Sequence, residues 1–298
     1  MTPAHQLTLN LSGHLVSLEK PLVMGIVNVT PDSFFAGSRI DGAKALRARL
    51  DTLVREGAAL ADLGAYSSRA GAEEVSPEEE RRRLRPALQI LRDEYPDLPV
   101  SVDTFRSDVA RMAVEEYGAS MINDISGGGL DPAMYRTMAE LQVPYILMHM
   151  KGDPKTMQQQ ASYSDVTLEV IDYFAQRVGQ LLELGVHDII LDPGFGFSKT
   201  TAQNYELLAQ LGSLVEAFTQ PLLVGVSRKS MIYRPLGITP EEALSGTTFV
   251  HALALERGAK ILRVHDVRPA VEAVQLYEEL RPFLRTDGAL HYQHLRPL

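Results

Sequence analysis

The sequence predicts an α/β fold in which eight β-strands, each followed by helix, close into one barrel. Short β-branched runs alternate with longer helical patterns over most of the 298 residues. Eight such units fit a (β/α)8, or TIM, barrel of roughly 250 residues, whereas an open doubly wound sheet normally has about five or six strands. The turn after the first strand, Asn28-Val29-Thr30-Pro31, also lacks the glycines of the open fold.

The strand patterns can be placed in order along the chain. They span residues 23–27, 60–63, 100–102, 120–122, 145–148, 189–191, 222–226 and 261–264. Residues 7–20 alternate around Ser12-Gly13 and predict a β-hairpin before the barrel. We therefore expect three segments: an N-terminal hairpin extension (1–20), the barrel (21–285) and a C-terminal tail (286–298).

Helix boundaries carry their own signals. Ser76-Pro77-Glu78-Glu79 has the pattern of a capping box with proline at the first helical position, and apolar Leu84, Leu88 and Leu91 follow it. Thr239-Pro240-Glu241-Glu242 repeats the pattern and predicts a second helix start. Glycines that suit a left-handed helix end precede four strands, at Gly57, Gly118, Gly185 and Gly258.

The amino-acid composition limits the kinds of molecule that the protein can bind. A formal charge of −9 would repel nucleic acid and anionic membranes, and the basic run at residues 81–83 lies in a glutamate-rich helix pattern typical of a solvated face. The chain has no cysteine, which excludes disulfides and thiolate metal sites. It has no signal-peptide pattern and no run of about 18 apolar residues. We expect a cytoplasmic protein with a small-molecule ligand.

Polar residues close every predicted strand. In a barrel, the carboxyl ends of the strands form the active-site face. Capping of the next helix is an alternative explanation for Asp103 and Asp124, turn bonding for Asp192, and ordinary burial for His149. The polar strand ends are Asn28, Asp62 to Arg69, Asp103, Asn123-Asp124, His149, Asp192, Ser227 to Ser230, and Arg263 with His265.

These side chains divide into two chemical sets. Carboxylates, an amide and an ammonium suit the edge of a flat heterocycle with several N–H groups, and this set comprises Asp103, Asn123, Asp192 and Lys229. Hydroxyls and cations suit phosphate oxygens, and this set comprises Ser68, Arg69, Arg263 and His265. Asn28 can add a neutral oxygen ligand for Mg²⁺ travelling with a diphosphate.

Two stretches imitate other active sites. GFGFSKT (194–200) lacks the glycine immediately before the lysine of a nucleotide-binding P-loop. GVSRK (225–229) has Lys229 in place of the second glycine of a hydrolase nucleophile elbow. The eight histidines have no transition-metal spacing.

From about residue 21 to 280 the chain resembles the dihydropteroate synthases of folate biosynthesis. The resemblance rests on NVTPDSF (28–34), SSRAGAE (67–73), SVDT (101–104), INDISGG (122–128), LMHMKGDPKTMQ (147–158), LDPGFGF (191–197), GVSRKS (225–230) and LRVHDV (262–267). It implies a TIM-barrel transferase, a homodimer, that joins 4-aminobenzoate to 6-hydroxymethyl-7,8-dihydropterin diphosphate with loss of pyrophosphate. It also implies a Mg²⁺ cofactor and a sulfonamide target.

The resemblance assigns roles to individual residues. Catalysis would fall to Asp32, Arg69 and Lys229. The pterin would be held by Asp103, Asn123, Met148, Asp192, Gly196, Phe197, Lys229 and Arg263. The diphosphate would be held by Asn28, Ser68, Arg263 and His265, with Asn28 also binding the metal. The aminobenzoate pocket would be shaped by Phe35, Phe197, Arg228 and Ser230.

One block departs from the family pattern. The family motif is roughly GGESTRPG, whereas this chain has GAYSSRAG, so Tyr66 and Ala70 stand where glutamate and proline are usual. We expect weaker ordering of that loop without loss of activity, and the change leaves sulfonamide sensitivity open. Two alternatives stay open: a methyltetrahydrofolate:corrinoid methyltransferase with a similar pterin site, and a non-catalytic paralog that only binds pterin.

Overall fold

The computed structural model describes residues 8–29, 39–66 and 75–284. Eight parallel strands close into a barrel in the order β10-β3-β4-β5-β6-β7-β8-β9, and a separate antiparallel hairpin, β1-β2, precedes it. The barrel strands are β3 (Leu22–Asn28), β4 (Leu60–Gly64), β5 (Val100–Asp103), β6 (Met121–Asp124), β7 (Tyr145–Met148), β8 (Ile189–Asp192), β9 (Leu222–Val224) and β10 (Ala259–Val264). The predicted fold class is confirmed.

Helices follow each barrel strand. They are α1 (Arg39–Glu56), α2 (Pro77–Glu94), α3 (Ser107–Tyr117), α4 (Met134–Leu141), α5 (Val166–Glu183), α6 (Thr201–Ala209), α7 (Leu211–Ala217), α8 (Ser230–Leu236), α9 (Leu244–Glu256) and α10 (Val267–Leu280). Short 3-10 turns occupy Met157–Gln160 and Arg281–Phe283. Two helices follow β8 and two follow β9, which the strand count alone did not indicate. Within the described ranges, no helix is long and apolar enough to cross a membrane.

Local signals set several of these boundaries. The Ser76 side chain accepts a hydrogen bond from the Glu79 backbone N–H at 3.2 Å, and Leu84, Leu88 and Leu91 are buried, as the pattern predicts. The four glycines before strands adopt positive φ, at +86° for Gly57, +73° for Gly118, +84° for Gly185 and +95° for Gly258. Glycine adopts a positive φ without the steric cost that a Cβ would add.

The second predicted helix start is wrong. Residues 239–243 form a turn, and α9 begins only at Leu244. The Thr239 backbone N–H does donate to the Glu242 carboxylate at 2.9 Å, as in a capping box. The carbonyls of Pro240 and Glu241, however, accept hydrogen bonds from Arg228 at 2.9 and 2.6 Å. A long-range contact therefore holds this segment as a turn.

The described residues form two large apolar cores. One lies between the outward faces of the strands and the helices around them. The other fills the amino-terminal half of the barrel interior, where Met24, Leu60, Met121, Ile146, Ile190, Leu223 and Ile261 converge. The hairpin, β1 (Thr8–Leu11) and β2 (His14–Ser17), adds Leu9 and Leu11 to this inner core, together with Leu18 just beyond it. The hairpin therefore closes the bottom of the barrel.

We predict that Leu9→Ala lowers the free energy of unfolding by about 3 kcal/mol, because it removes a buried side chain from the inner core and leaves a cavity. Urea unfolding followed by circular dichroism measures the change. Leu15→Ala is the matched control, since Leu15 lies on the same hairpin with 76% of its surface exposed, and it should change stability by less than about 0.5 kcal/mol. Equal effects of the two substitutions would contradict the conclusion that the hairpin closes the bottom of the barrel.

Candidate active site

The carboxyl-terminal half of the barrel interior is polar. Side chains alternate along a strand, so the residue two positions after an inner-core residue also faces inward. That rule places four polar residues directly above the inner core, each two positions beyond an apolar one: Asp62 above Leu60, Asn123 above Met121, Asp192 above Ile190 and Arg263 above Ile261. On these four strands the interior thus changes from apolar to polar within two residues.

Arg263 joins the members of this layer. Its Nε donates to Asp62 Oδ2 at 2.6 Å and its Nη2 donates to Asp103 Oδ2 at 2.8 Å. Asn123 donates from Nδ2 to the same Asp62 oxygen at 3.1 Å. Asp62 is fully buried, and its other oxygen has no hydrogen-bond partner in the part of the chain that the structure describes. Asp62 is therefore tied to Arg263 by charge.

The pKa values of this group follow from burial and mutual charge. Burial would lower the pKa of Arg263, but Asp62 and Asp103 more than offset it, so the guanidinium stays charged. Burial raises the pKa of Asp103 to about 7; Arg263 opposes the rise, and Asp62 and Glu80 add to it. Asp103 keeps about a fifth of its side chain in contact with solvent, so it is the member of the pair that a ligand can reach.

Lys229 and Asp192 form the opposite side of the layer. The Lys229 ammonium donates to the carbonyl of Phe195 and lies 4.7 Å from the centre of the Phe197 ring. Burial lowers the pKa of Lys229 to about 8 against the charge of Asp192. Asp192 also accepts from the Gly194 backbone N–H at 2.8 Å. The turn bonding foreseen for Asp192 is therefore present, and the side chain still belongs to the polar layer.

Apolar side chains wall the mouth beside this polar edge. Ile125, Met148, Met150 and Met157 form a buried cluster, against which Phe105 and Phe197 pack. A flat ring that offers N–H groups to the carboxylates would rest its faces on such a wall. Of these residues, the sequence singled out Met148 and Phe197.

Asn28 and His265 lie on a third side. Asn28 pairs in register with Gly64, which pairs with Asp103, and a Cβ at Gly64 would lie 3.4 Å from the Asp103 Cβ and 3.7 Å from Asn28 Oδ1. The glycine therefore lets the two side chains lie close together. His265 Nδ1 lies 3.1 Å from Ser227 Oγ, and burial together with Arg263 lowers its pKa to about 4. His265 is thus neutral near pH 7.

No ready-made metal cage is present in the described residues, which contain no group of three or more His, Cys, Asp or Glu placed to hold an ion. Asn28 offers one neutral amide oxygen at the mouth. That donor set suits Mg²⁺ that arrives on a diphosphate, because Mg²⁺ commonly binds through few protein oxygens with substrate phosphates completing its shell.

Arg228 and Ser230, two residues predicted to shape the aminobenzoate pocket, lie beside groups other than the polar layer. Arg228 forms a bidentate ion pair with Asp266, at 2.7 Å from Nε and 2.9 Å from Nη2, in addition to its bonds to two carbonyls. Its guanidinium is thereby bound to Asp266 and to the carbonyls of Pro240 and Glu241. Ser230 begins α8 and is partly exposed. Direct contact of either residue with aminobenzoate stays a prediction.

Several predicted residues lie outside the described residues, namely Asp32, Phe34 and Phe35 in the first loop and Ser68, Arg69 and Ala70 in the second. Tyr66, at the edge of the second gap, packs edge-on against Phe105 with ring centres 5.3 Å apart. The Arg106 guanidinium lies 5.9 Å from the Tyr66 ring. Tyr66, at the position where the resemblance predicts glutamate, thus makes an aromatic contact.

Sequence reasoning undervalued two buried charges. Asp62 was one of several polar residues at a strand end, and nothing local marked it as the partner of Arg263, 201 residues away. Lys199 belongs to the GFGFSKT stretch, and its ammonium is almost fully buried. A lysine within a glycine- and phenylalanine-rich segment is the signal that could have drawn attention to it.

Comparison with known proteins identifies the family. The family model described as "Pterin binding enzyme" matches residues 24–265. Dihydropteroate synthase of Escherichia coli (strain K12) is 42% identical over 272 residues, covering 89% of this chain and 94% of that protein. The chain belongs to the dihydropteroate synthase family of pterin binding enzymes.

Other members agree over a similar span. The dihydropteroate synthase of Synechocystis is 42% identical over 265 residues, covering 88% of this chain and 91% of that protein. The solved structure of the Xanthomonas albilineans enzyme with 4-aminobenzoic acid has 40% identity and a TM-score of 0.84, and the comparison covers 92% of this chain and 98% of that one. The same enzyme in complex with 7,8-dihydropteroate has 39% identity and a TM-score of 0.81, with the same coverage of both chains.

Proposed function

We propose that this chain is a transferase of folate biosynthesis that condenses 6-hydroxymethyl-7,8-dihydropterin diphosphate with 4-aminobenzoate, giving 7,8-dihydropteroate and pyrophosphate. The observation that carries the proposal is the charged layer at the barrel mouth, Asp103, Asn123, Asp192 and Lys229 around Arg263, in a member of the dihydropteroate synthase family. This layer offers acceptors and donors to a pterin edge beside an apolar wall for its faces.

Pterin recognition follows from the donors and acceptors present. Asp103 and Asp192 would accept hydrogen bonds from pterin N–H groups, while Asn123 and Lys229 would donate to its oxygen and ring nitrogen. Met148, Gly196, Phe197 and Arg263 would contact the faces and edges of the ring. Because Asp103, Asn123, Asp192 and Lys229 are each already held by a hydrogen-bond partner, binding requires little rearrangement of the site.

The diphosphate is the leaving group. Asn28, Arg263 and His265 lie on one side of the mouth, and we propose that they bind its oxygens together with Ser68. Mg²⁺, held in part by Asn28, would neutralise negative charge on the departing diphosphate. The neutral His265 can donate a hydrogen bond without adding a second buried positive charge beside Arg263.

Bond breaking precedes bond making in this proposal. The hydroxymethyl carbon becomes cationic as the C–O bond ionises, and the amine of 4-aminobenzoate then attacks it. Asp32 would stabilise the cation and Arg69 would assist, while Phe35, Phe197, Arg228 and Ser230 would shape the aminobenzoate pocket. Positioning and electrostatics supply the rate, since an electrophile of this kind needs no strong general base.

We also propose a homodimer. Four apolar side chains are strongly exposed on neighbouring helices and the turn after them: Phe249 at 66%, Leu276 at 71%, Leu280 at 53% and Phe283 at 80%. Exposed apolar side chains grouped in this way are typical of an interaction surface. The proposed location is the cytoplasm, because the diphosphate substrate is a polyanion that does not cross a membrane unaided.

Sulfonamide binding is a further proposal. A related Yersinia pestis enzyme, 37% identical, has been solved with a sulfonamide drug complex. The aminobenzoate pocket proposed here would accept such an aminobenzoate mimic, so sulfonamides should compete with 4-aminobenzoate.

The function is tested by incubating the protein with the pterin diphosphate, 4-aminobenzoate and Mg²⁺ and following dihydropteroate and pyrophosphate by mass spectrometry. Lys229→Met should lower kcat/KM by about 100-fold, because a partly buried charged donor to the pterin is lost. Lys44→Met, at an exposed lysine of α1, should leave it unchanged. Pterin binding by the wild type without product would refute the synthase and favour the non-catalytic alternative; methyl transfer from methyltetrahydrofolate would favour the corrinoid enzyme.

Pterin affinity should depend on Asp103 titration. With a pKa near 7 in the folded protein, Asp103 is protonated below that pH and loses acceptor capacity for pterin N–H groups. The Kd for the pterin diphosphate should therefore rise as pH falls from about 8 to 6, as measured by calorimetry. The Asp103→Asn variant should bind the pterin diphosphate more weakly, and its Kd should not rise further as pH falls. If the Kd of the variant still rises at low pH, the titrating group is not Asp103.

The same pKa has a consequence for stability. An unfolded aspartate has a pKa near 3.9, so between that value and 7 the folded protein holds more protons than the unfolded chain. The contribution of Asp103 to the free energy of unfolding therefore decreases as pH rises through this window.

The proposed dimer face is tested by light scattering coupled to size-exclusion chromatography. Leu276→Asp should convert a dimer into a monomer, since it places a charge in the apolar face of α10. Leu168→Asp is the matched control, because Leu168 is a similarly exposed leucine, at 58%, on α5. A dimer that survives Leu276→Asp would place the interface elsewhere.

A further inference from the structure

Ser198 has a backbone conformation that its residue type disfavours. Its φ is +47°, in the left-handed region, and the residue is fully buried. A non-glycine residue in this region carries a steric cost from its Cβ, and such conformations persist where surrounding contacts enforce them. Ser198 directly follows Phe197, whose ring lies beneath Lys229.

The Ser198 hydroxyl connects two loops at the barrel mouth. It accepts a hydrogen bond from the Lys151 backbone N–H at 2.9 Å and lies 3.3 Å from the Tyr163 hydroxyl, and both residues belong to the loop after β7 (149–163). Within its own loop, the one after β8 (193–199), it donates to the Phe197 carbonyl at 2.8 Å. The hydroxyl is thus a cross-link between the β7 loop and the β8 loop.

The neighbouring residue provides a second link between the same loops. The Lys199 ammonium lies 2.9 Å from His149 Nδ1 and donates to the carbonyls of Gly194 and Phe197 at 3.1 and 3.2 Å. Lys199 thus binds two carbonyls of its own loop and contacts a side chain of the β7 loop. Two lysines therefore hold the β8 loop. Lys199 binds the carbonyls of Gly194 and Phe197, and Lys229 binds the carbonyl of Phe195.

The β7 loop is itself held firmly where Ser198 joins it. The Lys151 ammonium donates to Glu169 at 2.6 Å and to the Ser162 carbonyl at 2.7 Å, and it lies 3.7 Å from the centre of the Tyr163 ring. Lys151 thus places both partners of Ser198, its own backbone N–H and the Tyr163 hydroxyl. The Ser198 hydroxyl therefore connects the β8 loop to a β7 loop that Lys151 already holds in place.

We propose that Ser198 is a positioning residue for the pterin pocket: its hydroxyl ties the β8 loop to the β7 loop and thereby holds Phe197 and the carbonyl partner of Lys229 in their binding positions. This inference rests on the proposed function, since it concerns the same pterin site. Ser198 does not touch the reacting atoms, so its loss should weaken pterin binding far more than it slows turnover at saturation.

Two substitutions separate the hydroxyl from the backbone cost. Ser198→Ala removes the hydroxyl and keeps the Cβ that the left-handed backbone disfavours, whereas Ser198→Gly removes both. We expect both variants to raise the Kd and KM for the pterin diphosphate by about tenfold, with kcat within about twofold of wild type. The melting temperature should fall in Ser198→Ala and change less in Ser198→Gly, because glycine relieves the strain.

Ser12 offers a matched control at the other end of the barrel. It also has positive φ, +51°, and its hydroxyl donates to Ser120 Oγ at 2.8 Å. Ser12→Ala and Ser12→Gly should leave the Kd and KM for the pterin diphosphate unchanged.

Calorimetry with the pterin diphosphate, product formation and thermal unfolding are measured on all five proteins. Wild-type affinity in Ser198→Gly would overturn the proposal, as would a Kd that follows melting temperature across the four variants. Binding by the wild type without dihydropteroate formation would refute the proposed synthase, while the Kd comparison would still decide the role of Ser198. A wild type that does not bind the pterin diphosphate would overturn both.

Discussion

The ion pair between Arg263 and Asp62 is the interaction on which the barrel mouth depends. Burying a lone carboxylate within a barrel is costly, and Asp62 is fully buried. Arg263 compensates that charge through Nε and reaches Asp103 through Nη2, so one planar guanidinium fixes two strands relative to each other. A buried ion pair of this kind is weak evidence for stability. What it provides here is a set of charged groups oriented before any substrate arrives.

The two ends of the barrel divide the work between stability and chemistry. Parallel strands bring all their carboxyl ends to one face, so polar residues far apart in sequence meet there. The amino-terminal half of the interior is filled by aliphatic side chains and closed by the hairpin. The apolar half holds the strands in register, and that register places Asn28, Gly64 and Asp103 side by side at the mouth.

Much of this arrangement could be predicted from local sequence, and the exceptions have a common cause. Barrel strands are marked by contiguous apolar residues, and their predicted limits lie within two residues of those observed. The turn at residues 239–243 was missed because it depends on a long-range contact: Arg228, distant in sequence, donates hydrogen bonds to the carbonyls of Pro240 and Glu241. Asp62 and Lys199 were undervalued because their importance comes from burial and partners on other strands or loops. The roles of Asp32 and Arg69 rest on family resemblance.

The most direct test of the central claim is a double-mutant cycle between Asp62 and Arg263. Free energies of unfolding by urea are compared for the wild type, Asp62→Asn, Arg263→Met and the double variant at pH 7. A direct charge-coupled contact predicts an interaction energy of about 2 kcal/mol, with the double variant more stable than the sum of the two single effects implies. Additive effects, with an interaction energy near zero, would contradict the claim that this pair organises the mouth.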